Sequence, residues 1–240
     1  MIQQVIDQEL EFFVNISSMA VLIPSGIIFF FLAYKILARE DKEYFEMSFG
    51  MGLIAAGCAS FLGALFRIPY VLGVNEEALP VSWDLGSYFY YILMVTALAF
   101  VLSCGLAVMR RKQGFYSGLL GILGVIPISL AYMFGQVSSV PGNADMTMTT
   151  IGALLVFGTL GVLIFVTAGT YLIIYMQTRN PGSRMMFIGM VIILLSAAIA
   201  ALSDVIAGNL GRYFDSVGYL FVLAGLLAIY YGFKSKPAGD

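Results

Sequence analysis

Histidine is absent from this 240-residue chain, which has only two cysteines and one tryptophan. Charge is scarce as well: 12 Lys and Arg and 14 Asp and Glu make up 11% of the residues, where a soluble domain carries roughly 25%. Without histidine there is no bis-histidine haem ligation, no ordinary zinc or copper site and no imidazole general base. Cys58 and Cys104 fall inside long apolar runs, where they read as small apolar filler rather than as a disulfide. Met146 and Met148 form a Met-x-Met pair, and two thioethers alone make a poor copper site. No glycine-rich phosphate loop follows a strand, and no Ser or Cys has a histidine partner. The chain is therefore expected to be no enzyme and no nucleic-acid binder, with no cofactor and no metal.

What the chain has in plenty is hydrocarbon: 60% of its residues are hydrophobic and the mean hydropathy is +0.95. A spanning helix needs about 20 mostly apolar residues to cross about 30 Å of hydrocarbon. The gaps between charges supply seven such stretches, at about 12–34, 47–69, 85–109, 115–134, 151–175, 185–205 and 216–233. In lipid each backbone group must bond within its own segment, so helix is the default. A barrel would show short alternating segments instead of long continuous runs. The expectation is an all-α, polytopic protein of the cell (cytoplasmic) membrane. A single membrane domain would cover residues 1–240 as a seven-transmembrane-helix bundle embedded in the lipid bilayer.

Orientation follows from the basic residues. With the N-terminus outside, the inner side holds Lys35, Arg39, Lys42, Arg110, Arg111, Lys112, Arg179, Arg184, Lys234 and Lys236, leaving only Arg67 and Arg212 outside. The positive-inside rule thus predicts N-terminus out and C-terminus in. Met1–Glu11 carries Asp7, Glu9 and Glu11 and lacks the basic start of a signal peptide. The linkers are short, and no attached soluble output domain is expected.

Small residues mark packed faces. Ala55, Ala59 and Gly63 recur at four-residue spacing in the second stretch, and Ser196 and Ala200 in the sixth. Pro24 and Pro127 predict kinks. The Gly-Met pairs at 50–51 and 189–190 open comparable Ala-rich runs, as a duplicated three-helix unit around a central helix would.

Polar groups at membrane depth are the usual pointers to function. Arg67, Asp84, Asp204 and Asp215 come from four different stretches, and the predicted topology gathers them near the outer face with Arg212 beside them. One reading is a ligand or ion vestibule in which Arg67 is answered by an aspartate. The other is interfacial charge capping helix ends. Asn15, Ser17 and Ser18 lie in the same outer half. Aromatics crowd that end, and the run Tyr88–Tyr91 covers every face of its turn, so at least one ring, Tyr88 among the candidates, points inward. A belt at the lipid interface is the alternative for these rings.

The layout resembles a microbial rhodopsin: seven stretches, an outside N-terminus and short loops. Local likenesses are a basic-acidic first inner loop at Arg39–Glu43, a Pro-x-x-Trp at Pro80–Trp83 ahead of the third stretch, and Gln113-Gly114 ahead of the fourth. That family attaches retinal to a lysine in the seventh helix and buries a carboxylate in the third. Ser216–Phe233 has no lysine and Leu85–Met109 no acid. The resemblance therefore implies a bundle of similar shape without retinal and without proton pumping.

Three functions fit this pattern. The first is a non-enzymatic, receptor-like sensing bundle that passes a signal to a separate protein partner at its inner loops. The second is a small neutral-solute transporter or channel built as 3+1+3 helices. The third is an accessory subunit of a larger membrane complex.

Overall fold

The computed structural model describes the backbone of residues 2–40, 44–72, 82–108, 124–130, 146–205 and 209–234. All regular structure among the described residues is helix. In chain order these are α1 (Ile2–Leu37), α2 (Tyr44–Leu65), the single turn α3 (Ile68–Val71), α4 (Ser82–Val108), α5 (124–130), α6 (Met146–Thr178), α7 (Pro181–Val205) and α8 (Asn209–Lys234). Phe12–Leu37, Glu46–Leu65, Tyr88–Leu106 and Gly158–Thr178 are long and apolar enough to cross a membrane, and Pro181–Ser196 and Leu220–Gly232 are shorter apolar segments. The chain is all-α, with helices of membrane-spanning length and composition.

Local chemistry sets the helix ends. The second stretch, expected as one helix over 47–69, breaks at Phe66–Arg67, where the Arg67 amide turns back to the Ala64 carbonyl. Pro69 has no N–H and would clash inside a continuous helix, but it is tolerated in a first turn, which is where α3 places it. α6 ends at Arg179, whose φ of 54° is the left-handed conformation that stops helices. The next helix starts at once. The Asn180 side-chain oxygen accepts from the Gly182 amide at 2.8 Å, and Pro181 opens α7. Most of the expected fourth span lies outside the described residues, and α5 falls within it.

Neighbours in sequence are neighbours in space. α1 packs on α2, α2 on α4, α4 on α6, α6 on α7 and α7 on α8, and α8 returns to α1, so the ring closes. α5 sits where α4 and α6 meet: a Cβ built at Gly124 would lie 2.7 Å from Val95 and 3.2 Å from Leu163. A shared apolar core runs through the ring, with Phe29 and Ile36 from α1, Phe49 from α2, Leu98 from α4, Ile174 from α6, Met190 from α7 and Ile229 from α8. Large apolar residues such as Tyr34, Phe165 and Leu195 are exposed on the outside, as lipid-facing side chains would be.

The closest helix pair is α7 and α8. Gly182, Gly189 and Ser196 recur every seven residues on α7, as do Gly218, Gly225 and Gly232 on α8. The two series run antiparallel and meet in register. A Cβ on Gly232 would sit 2.6 Å from the Gly182 carbonyl oxygen. One on Gly225 would sit 2.7 Å from that of Gly189, and one on Gly218 3.6 Å from that of Ser196. Without side chains between them the backbones touch, which is how helices gain packing in lipid. In the sequence both series continue, to Ser203 and Gly211.

Hydroxyls hold the interior at other points. The buried Tyr171 of α6 donates its hydroxyl to the Val101 carbonyl of α4 at 2.8 Å, and Gly105 leaves room for its ring. No buried side-chain N or O among the described residues lacks a hydrogen-bond partner.

Candidate functional site

The charged side chains described fall into two groups. Lys35, Arg39, Glu40, Glu46, Arg179, Arg184 and Lys234 lie at the end of the bundle where α1, α6 and α8 finish. Here Arg39 bridges to Glu46 at 3.0 Å, tying the end of α1 to the start of α2. At the opposite end stands Arg67, half-buried just beyond α2.

Arg67 reaches back to α1. Its Nη1 donates to the Asn15 side-chain oxygen at 3.1 Å, and Asn15 is only 3% exposed. A hydrogen bond from a charged donor contributes about 1.5–3 kcal/mol. Around it the helices carry small or hydroxylated residues. Ser18 is completely buried, with its hydroxyl on the Val14 carbonyl at 2.8 Å, and Ser60 bonds the Ala56 carbonyl at 2.9 Å. Gly63, one turn before Arg67, lets two side chains close on α2. A Cβ there would meet the Tyr90 ring at 3.2 Å and Leu22 at 3.4 Å. Asn15, Leu22, Gly63, Arg67 and Tyr90 thus gather residues of α1, α2 and α4 at one end of the bundle. The stripe Ala55, Ala59 and Gly63 is buried, as its spacing predicts.

Tyr88 belongs to a different contact. The Ser129 hydroxyl donates to the Val125 carbonyl at 2.9 Å, so its bond to Tyr88, also 2.9 Å, has the phenol as donor. Tyr88 therefore joins α4 to α5, whereas Arg67 joins α2 to α1. Asp84 stands in the first turn of α4, Asp204 near the end of α7 and Asp215 in α8. Their side chains, like that of Arg212, lie outside the described residues. No family model, curated protein or solved structure matches the chain.

The partner that sequence reasoning missed is Asn15. A search for charge answering charge favours aspartates, yet a neutral amide oxygen accepts equally well from a guanidinium. The available signal was the polar run Asn15-Ile16-Ser17-Ser18 inside an otherwise apolar stretch. Chemically the site offers a planar cationic fork beside a buried amide, and a guanidinium is suited to carboxylates, phosphates or carbonyl oxygens. No cluster of three metal-ligating side chains occurs among the described residues.

Proposed function

We propose that this chain is a non-enzymatic, receptor-like membrane bundle of seven spans, with its N-terminus outside and its C-terminus inside. It binds a small ligand at the Arg67 end and acts through a separate protein at its inner loops. The observation that carries the reading is the half-buried Arg67 bonded to the buried Asn15. Ionisable side chains at membrane depth are costly, and where they occur they mark ligand or ion sites. The ten-to-two division of Lys and Arg supports the orientation. The lengths of α7 and α8, 25 and 26 residues, support two further crossings, since each is roughly 38 Å long at 1.5 Å per residue. Asp84, Asp204 and Asp215 complete the proposed vestibule, and Tyr88, bonded to Ser129, stands outside it.

Ser25, Thr96, Thr167 and Ser196 each donate to a carbonyl three or four residues back on their own helix. Two measurements test the proposal. A reporter fused after Lys236 should be cytoplasmic, and a periplasmic or extracellular signal would overturn the topology. Native mass spectrometry of protein taken gently from its own membrane should show a bound small molecule. Arg67→Gln should lose it while helicity stays unchanged. Equal occupancy in the parent and Arg67→Gln, or no bound molecule in either, would refute the binding reading.

A further inference from the structure

The two halves of α1 are held by different means. Beyond Pro24 the helix joins the shared apolar core through Phe29, Leu32, Ala33 and Ile36, with Ile28 packed against them. Just after the proline, a Cβ on Gly26 would lie 2.8 Å from the Phe61 ring, so α1 and α2 are in close contact there. Among the described side chains before Pro24 the buried residues are Val14, Asn15, Ser18 and Leu22, and none belongs to that core. Leu22 of this half packs at Gly63 of α2, and Asn15 is bonded to Arg67. Pro24 itself is exposed and gives the Ala20 carbonyl no donor. The adjacent Val21 carbonyl takes an additional bond from the Ser25 hydroxyl at 2.6 Å, a pattern that bends helices. A segment in the shared apolar core, a break in the backbone ladder and a segment outside that core with a polar tie to Arg67 therefore follow one another along one helix.

We infer that the part of α1 before Pro24 is a hinged arm, latched over the Arg67 site by the Asn15–Arg67 bond. A ligand oxygen that takes the Arg67 Nη1 donor from Asn15 releases the latch, so occupancy becomes movement of the arm. This role as a gate rests on the binding function proposed above. The hinge and the latch can be measured without any ligand.

The test uses pairs of spin labels in the full chain, with Cys58 and Cys104 replaced by alanine and the protein in lipid nanodiscs. One pair, at the exposed positions Phe12 and Leu72, spans the arm and the α3 turn. A second pair, at the exposed positions Tyr34 and Met47, reports the other ends of α1 and α2. From Phe12 to Pro24 the arm is about 18 Å long, so a swing of about 20° moves its tip by about 6 Å. The parent should give one narrow distance at both pairs. Asn15→Ala and Arg67→Gln should each add a population displaced by about that amount at Phe12–Leu72 and leave Tyr34–Met47 unchanged. Adding Pro24→Ala, which restores the missing amide, should remove the new population. The proposal is overturned if latch removal leaves Phe12–Leu72 unchanged, if both pairs shift together, or if the shift survives Pro24→Ala. Should the native protein carry no ligand while the arm still swings, the hinge stands and only the binding function fails.

Discussion

Alanine substitution of glycine should have opposite signs on two helices of this protein. At Gly189 the new methyl would sit 2.4 Å from the Gly225 carbonyl oxygen, 2.6 Å from Ile229 Cγ1 and 3.0 Å from the Ile229 amide nitrogen. Two of these three atoms are backbone, and Ile229 is 1% exposed, so no side chain can rotate out of the way. A carbon needs about 3.3 Å from a carbonyl oxygen, so α7 and α8 must part by about 1 Å. Such overpacking costs about 1–3 kcal/mol, and alanine's better helix propensity returns up to about 1 kcal/mol. The expected net loss for Gly189→Ala is about 1–2 kcal/mol. At Gly161 of α6 nothing lies within 4 Å of the same methyl, so only propensity acts. Gly161→Ala should be neutral or stabilising by up to about 1 kcal/mol. Reversible unfolding in mixed micelles, titrated with a denaturing detergent, measures both. Gly189→Ala with Gly225→Ala should cost less than the sum of the single changes, because the first already opens the interface. Equal effects at Gly189 and Gly161, or strict additivity at 189 and 225, would refute the backbone contact.

Three further outcomes are expected. Tyr171→Phe should destabilise by about 0.5–1.5 kcal/mol through loss of the buried bond to Val101, and unchanged unfolding would show that the bond contributes nothing. Arg179→Gly should stabilise by roughly 0.5–1 kcal/mol, as relief of left-handed strain exceeds glycine's added unfolded-state entropy; a loss of stability in the same titration would contradict this. Purified protein mixed with all-trans retinal should develop no absorbance band red-shifted from free retinal and give no borohydride-trapped adduct, since Ser216–Phe233 has no lysine.

The apolar stretches were legible because lipid makes helix the only economical answer and charges mark where it stops. Pro69 is visible in the sequence, but the break it causes appears two to three residues earlier, at Phe66–Arg67, beyond the reach of a hydropathy window. The series Gly182, Gly189, Ser196 and Gly218, Gly225, Gly232 are equally visible, yet only their antiparallel register shows that one answers the other. At the site, Arg67 was legible from its charge alone. Asn15 was not paired with it, because the two residues are 52 positions apart and one is neutral.

The order of contacts around the ring has a consequence for how the chain is made. Among the described residues each long helix packs against the long helix before it in the chain, so their assembly can keep pace with the ribosome. The contact between α1 and α8 is different, because it joins the first helix to the last. Until α8 emerges, the flank of α1 that α8 covers lacks that partner. Ring closure should therefore be the final step of biogenesis, and nascent chains lacking α8 should expose that flank to membrane chaperones and proteases.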